Sequence, residues 1–235
     1  MADMKLGRKL TEGTGAWLMF EFACGRSGLF SEKYLSQPIG QILSAYSGDR
    51  VIAEFKHTPL SEHMKGPGRR PEIDFVVCDT FPDVSIAVES KWIGSTKPTV
   101  ESIVWDIIRL EMLAYKYNAE CYFILGGKKA SLDAFLAENK FSGGSTAGKG
   151  TILRSDTNSA HHFDLSPSVR HRIKMMKKIF TPYQSLEFPA KISTGRQTPF
   201  PENPTSNQFQ VITWKISSLG RKSIFYPKNS KHYCS

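Results

Sequence analysis

The chain has 235 residues, 40% of them hydrophobic, enough for one sizeable core, and no apolar run approaches the roughly 18–20 residues of a membrane span. Its net charge of +9 is uneven: residues 1–150 hold 18 Lys+Arg against 18 Asp+Glu, and residues 151–235 hold 13 against 4. Cys24, Cys78, Cys121 and Cys234 show no Cys-x-x-Cys spacing, which argues against a zinc finger and predicts a reducing, cytoplasmic setting.

Leu10 to Cys24 reads as a helix whose apolar mass comes from Trp17, Phe20, Phe22 and Cys24, with Gly13 and Gly15 weakening its start. Gly25-Arg26-Ser27-Gly28 ends it. Ser31 has the character of an N-cap, with Glu32 in the first turn of a short helix. Pro38 opens another turn, and Ile39, Ile42 and Leu43 carry helical spacing to about Tyr46, with Gly48 closing it. Val51–His57 reads as a strand. Thr58 to Arg70 is polar and rich in Gly and Pro, a loop that brings Lys65, Arg69 and Arg70 next to the following strand.

That strand begins the most informative stretch. Ile73–Cys78 and Val84–Val88 are rich in β-branched and aromatic residues and flank a break at Thr80-Phe81-Pro82-Asp83, which predicts a hairpin. A turn centred between Phe81 and Pro82 pairs residues whose numbers sum to 163, so Asp74 lies opposite Glu89. Glu89 and Lys91 share a face by alternation, and Asp74 joins them by pairing. Two carboxylates side by side repel, and strand interiors disfavour both. A divalent cation with oxygen ligands would relieve them, and the lysine ammonium would hold a water or stabilise developing negative charge. The plainer reading is a solvated hairpin face carrying a Glu–Lys ion pair.

Pro98 or Thr99 opens a strong helix to about Tyr117. Val100, Ile103, Val104, Ile107, Leu110, Met112 and Leu113 form its broad apolar face, while Glu101, Asp106, Arg109 and Glu111 fall on its margins or elsewhere. Ala119–Leu125 reads as a buried strand stopped by Gly126-Gly127, parallel to the one before the helix. Ser131–Asn139 is a short helix. Gly143-x4-Gly148-Lys149 looks like a phosphate-binding loop but lacks the following Ser or Thr, so it reads as a plain loop. His161-His162 has no third ligand at zinc spacing. Ser166 and Pro167 begin a helix to about Phe180, with Val169, Ile173, Met176 and Phe180 as its apolar stripe. Its other faces carry Arg170, Arg172, Lys174, Lys177 and Lys178, placed to meet a nucleic-acid backbone. Thr181–Gln208 reads as a long loop, and Val211–Ile216 with Ser223–Tyr226 as a final strand pair. Charge therefore predicts a neutral body, 1–150, and a basic C-terminal region, 151–235, packed on it and turned to a polyanion.

Pro71-Glu72-Ile73-Asp74 and, fourteen residues beyond Asp74, Val88-Glu89-Ser90-Lys91 resemble the PD-(D/E)XK nuclease superfamily. Glu72 and Ile73 intervene between Pro71 and Asp74, a departure from the strict Pro-Asp pair. The order of helix, three strands, helix and strand is similar to the core order of that superfamily. The resemblance implies an α/β fold of restriction-endonuclease type, a mixed sheet flanked by helices, here with a basic C-terminal extension. It implies that Asp74 and Glu89 bind Mg2+ (with Mn2+ able to substitute), that the Ser90 backbone carbonyl adds a ligand, and that Lys91 orients or helps deprotonate the attacking water. Such nucleases often carry a further acid on the helix before the sheet; Glu21 and Glu32 are the candidates, and Glu32 is nearer the sheet in sequence. The expected activity is Mg2+-dependent cleavage of double-stranded DNA, of restriction or phage-defence type. A homodimer is expected only because cutting both strands with single-site enzymes takes two copies. Arg69, Arg70, Arg170, Arg172, Lys174, Lys177 and Lys178 would grip the backbone. The alternative is a non-catalytic nucleic-acid-binding protein on the same fold. A basic membrane-surface or protein-interaction module is a weaker third.

Overall fold

The computed structural model describes residues 5–61, 71–80, 83–142, 151–165, 172–221 and 223–233. Two helices, α1 (Leu6–Ala23) and α2 (Glu32–Ser47), precede β1 (Val51–Lys56) and the single turn α3 (Thr58–Ser61). Then β2 (Glu72–Thr80) and β3 (Asp83–Ile93) form an antiparallel pair, α4 (Val100–Tyr117) crosses over, and β4 (Glu120–Lys128) runs parallel to β3. After α5 (Lys129–Leu136) and α6 (Asn139–Ser142) come β5 (Ala160–Asp164), α7 (Ile173–Phe180), β6 (Phe188–Pro189), β7 (Lys191–Arg196), β8 (Phe209–Ser217) and β9 (Ile224–Phe225).

Among the described residues, seven strands form one mixed sheet in the order β1-β2-β3-β4-β8-β7-β5. On one face Leu10, Leu18, Leu35 and Ile39 of α1 and α2 pack with Val77, Val88 and Ile124. On the other, Ile103, Ile107, Leu132 and Phe180 of α4, α5 and α7 pack with Val76, Ala87 and Phe123. Each such side chain, removed from water, contributes about 1.5–3 kcal/mol, so these two seams hold the layers on the sheet. No helix among the described residues is long and apolar enough to cross a membrane.

Local chemistry explains the helix ends. The Thr99 hydroxyl accepts the Ser102 N–H at 3.1 Å and starts α4; Asn118, with φ 54°, ends it. Ser31 caps α2 through the Tyr34 N–H at 3.2 Å, but the helix then continues through Pro38 to Ser47 as one element rather than two. Gly48, at φ 67°, supplies the exit that most residues resist. Nor do the glycines of α1 weaken a start there, since the helix begins earlier, at Leu6. A Cβ on Gly15 would come within 2.9 Å of the Phe200 carbonyl oxygen, so the glycine serves a close approach. The buried face of α1 is Leu6, Leu10, Leu18 and Glu21, while Phe20 and Phe22 face solvent.

The C-terminal third departs furthest from the sequence reading. It is not an appendage packed on a finished body. β8 pairs with β4 from Cys121↔Ile216 to Lys128↔Phe209, and β7 and β5 extend the same sheet. β7 lies inside Thr181–Gln208, which reads as loop because Lys-Ile-Ser-Thr-Gly-Arg carries little apolar signal. Val211–Ile216 does not pair with Ser223–Tyr226; Ile224 and Phe225 instead pair with Pro189 and Phe188. Gly126 and Gly127 do not stop β4 either: a Cβ on Gly127 would sit 2.7 Å from the Ile93 carbonyl oxygen, so glycine there lets two strands approach. Arg221 ties the C-terminal segment to the core through Glu111 at 3.2 Å and Glu187 at 3.4 Å, with its guanidinium 4.3 Å from the centre of the Tyr115 ring.

His57, fully buried after β1, fastens α4 in place. Its Nδ1 accepts the Leu60 N–H at 3.2 Å, which leaves Nε2–H to donate to the Arg109 carbonyl oxygen at 3.0 Å. Burial lowers its pKa from 6.5 to about 4. Between those values the unfolded chain binds more protons than the folded one, so stability is complete above about pH 6.5 and drains away as pH falls toward 4. The shift corresponds to about 3 kcal/mol. Denaturant unfolding from pH 7 to 4 is expected to show a stability loss shallower by roughly this amount in His57→Gln than in the wild type.

Candidate active site

The register around the predicted site is the one read from the hairpin. Phe75↔Val88, Val76↔Ala87 and Val77↔Ile86 all sum to 163; the register shifts at Cys78↔Val84, and at the other end the ladder stops at Phe75, one residue short of Asp74. The proposed turn at Phe81-Pro82 lies outside the described residues. On the other side of β2 the pairing skips one position: Ala53↔Phe75 and Phe55↔Ile73 are partners, and Glu54 between them has φ 50°. A non-glycine residue there is uncommon, and alternation slips across it. Phe75 and Val77 pack toward α1 and α2, whereas Phe55 and Ile73 pack toward α4. Asp74 sits at this slip. Its Oδ2 accepts both the backbone N–H of Ser90, at 2.8 Å, and its hydroxyl, at 2.9 Å.

Glu89 is 1% exposed, which excludes the solvated hairpin face. Its partner is not Lys91 but Arg109 of α4, whose Nη2 lies 2.7 Å from Oε1. Burial, with Asp106 close by, holds the Glu89 carboxyl well above the usual carboxylate range in spite of Arg109. The Lys91 ammonium meets Glu32 Oε1 at 2.9 Å, the Ser90 carbonyl oxygen at 3.1 Å and Asp106 Oδ2 at 3.4 Å. Burial works to lower its pKa, but Asp106, Glu89 and Glu32 outweigh burial and hold it above the ordinary lysine value. Asp106, Glu89 and Glu32 thus favour the ammonium form of Lys91, which donates to Glu32 and to the Ser90 carbonyl oxygen.

Asp74, Glu89 and Lys91 thus line one cleft of about 350 Å³, together with Glu54, Glu72 and Arg109. Glu32, the preferred helix acid, reaches this group through Lys91. Glu21 does not: it accepts from the Tyr34 hydroxyl at 2.6 Å and Arg26 at 2.9 Å, and the tyrosine bond in particular lowers its pKa. The Ser90 carbonyl, expected as a metal ligand, accepts from the Lys91 ammonium.

Asp106 and Arg109 are the site residues that the helix reading missed. Placed on the margins of α4, they are instead buried, 4% and 8% exposed. The available signal was their i,i+3 spacing amid Ile103, Val104, Ile107, Ile108 and Leu110, where two charges have no route to water. Arg109 Nη2 reaches Asp106 Oδ1 at 2.5 Å, and Nη1 donates to the Glu72 carbonyl oxygen at 2.5 Å.

The donor set bears on a metal. Four acids (Asp74, Glu89, Asp106, Glu32) face two cations (Lys91, Arg109). Glu89 Oε1 and Asp106 Oδ2 are buried without an aligned hydrogen bond, despite their close charge contacts. Among the described residues no three His, Cys, Asp or Glu side chains converge as a metal cage. Mg2+ does not need one, since it commonly takes one or two carboxylates and completes its shell with water and substrate phosphate. Asp74 and Glu89 fit that smaller demand.

The expected nucleic-acid contacts divide. Arg69, Arg70 and Arg170 lie outside the described residues, as does the Gly143–Lys149 loop. Lys174 and Lys178 of α7 are exposed and Lys177 is half-buried, with Lys178 3.0 Å from Glu101. Arg172 is turned inward. It donates to the carbonyl oxygens of Lys140 at 2.7 Å and Phe141 at 2.5 Å and lies 5.4 Å from the Phe163 ring centre. Burial pulls its pKa down to about 10. The buried stripe of α7 is Met175, Met176, Ile179 and Phe180, so the arginine just before the helix enters the core with it. His161 spends Nε2 on the Thr151 carbonyl oxygen at 2.8 Å.

Compared with known proteins, the chain matches no family model, no curated protein and no solved structure.

Arg172→Ala is expected to cost about 1.5–3 kcal/mol in denaturant unfolding, through two charged hydrogen bonds. Lys174→Ala is expected to stay within about 0.5 kcal/mol, as exposed surface changes do. A neutral Arg172→Ala would return that arginine to the surface-contact set.

Proposed function

We propose that the protein is a divalent-cation-dependent nuclease that hydrolyses phosphodiester bonds, with DNA as its substrate. The observation that carries this reading is the cleft in which Asp74, Glu89 and Lys91 meet, with buried carboxylate oxygens that have no aligned donor. Acid, acid and lysine on paired strands form the set that the PD-(D/E)XK resemblance assigns to this chemistry. Asp74 and Glu89 would hold Mg2+, which supplies positive charge that polarises a phosphoryl oxygen and makes nearby water more acidic.

The chain's own groups have separate tasks. Ser90, through its amide and hydroxyl, fixes the rotamer of Asp74. Glu32 and Asp106 hold the Lys91 ammonium at the cleft wall, where it donates toward the phosphate or the attacking water and stabilises charge in the transition state. In its ammonium form Lys91 orients the water, whose proton passes to solvent or to the substrate as the new phosphorus–oxygen bond forms. The basic excess of residues 151–235 favours a polyanionic substrate without reading its sequence.

One observation favours a second reading. Glu89 already faces Arg109 and Lys91 already faces Glu32, as in a site that has lost catalysis and only binds nucleic acid. The two readings part in a plasmid-nicking assay run with Mg2+ and with a chelator. Wild type is expected to cut only with Mg2+, and Asp74→Ala and Lys91→Ala to lose about a hundredfold or more while keeping their fold by circular dichroism. Salt-sensitive DNA binding without Mg2+-dependent cutting would support the binder instead.

A further inference from the structure

Among the described residues the Arg109 guanidinium makes three polar contacts, and they are unequal. The bonds to Asp106 Oδ1 and to the Glu72 carbonyl oxygen are aligned hydrogen bonds, both at 2.5 Å. The contact with Glu89 Oε1, at 2.7 Å, is a charge contact, and that oxygen has no aligned donor. Asp106 lies on the same helix three residues earlier, so the guanidinium keeps its strongest partner whatever becomes of Glu89. Glu89 is 1% exposed, so its ionised form needs a counter-charge at contact distance, and Arg109 supplies it.

We propose that Arg109 is a built-in counterion for the cation position: its guanidinium neutralises Glu89 while the cleft holds no metal and yields that carboxylate to a divalent cation without releasing Asp106. The inference rests on the cation-dependent reading above and adds a positioning residue to it. A fixed positive charge beside Glu89 also weakens cation binding by repulsion, so affinity for metal is set partly from α4. Loss of the charge then has two linked effects, lower stability without metal and tighter binding of metal.

The test uses the full chain and Ca2+, a hard oxygen-seeking cation, at pH 8, with isothermal calorimetry and thermal unfolding as readouts. Arg109→Gln is expected to lower Tm in chelator, to regain most of that loss in Ca2+, and to bind Ca2+ about tenfold tighter than wild type. Arg109→Lys keeps the charge but not the planar fork, and its Ca2+ affinity is expected to stay near wild type. If Arg109→Gln is unfolded in chelator, its folding on addition of Ca2+ supports the proposal, and its failure to fold overturns it. Unchanged or weaker Ca2+ binding by a folded Arg109→Gln, or tightening of Arg109→Lys to the same degree, overturns the counterion role while the cation reading stands. No Ca2+ binding by wild type overturns both.

Discussion

Everything around the cleft answers to one constraint: Glu89 is a carboxylate on a central strand, under a helix and away from water. A charge in that place is tolerated only with a counter-charge at contact distance. Arg109 supplies it at 2.7 Å, Asp106 then balances Arg109, and Lys91 is drawn to Asp106 and Glu32 in turn. Each member of the chain is explained by the one before it. The cluster thus sets four acids, Asp74, Glu89, Asp106 and Glu32, against two cations, Lys91 and Arg109.

This constraint fixes the position of α4. Its apolar face alone would allow the helix to slide or roll on the sheet, since hydrophobic burial has little directionality. The Arg109 fork and the His57 bond to the Arg109 carbonyl oxygen do not allow that. Arg221, from the far end of the chain, grips the same helix at Glu111. The C-terminal strands therefore serve the site at a distance: β8 seals the open edge of β4, and the segment after it holds the helix that carries Arg109.

Local strain and local order meet at Asp74. Glu54, with positive φ, interrupts the β1–β2 ladder beside it, and the side-chain alternation changes faces there. Left to simple alternation, Asp74 would have a face but no anchor. The N–H and hydroxyl of Ser90 give it one. These two bonds hold the Asp74 carboxylate in one orientation at the cleft.

The local pattern by itself determined the β2–β3 hairpin and its register from Phe75↔Val88 to Val77↔Ile86, the start and span of α4, the parallel return of β4, and the meeting of Asp74, Glu89 and Lys91 at one cleft. These depend on alternation, helical period and capping, which are properties of neighbouring residues. Tertiary structure alone decided what those residues touch. Nothing near Glu89 in sequence names Arg109 as its partner, and nothing near Lys91 names Glu32, because those contacts span 20 and 59 residues. Arg172 looks like every other cation near α7 until Phe163 and two carbonyl oxygens close around it. β7 is polar enough to read as loop and becomes a strand because β8 and β5 offer it two ladders. Hydrogen-bonding and charge partners are chosen by proximity in space, and the one-dimensional pattern of polarity does not carry that distance.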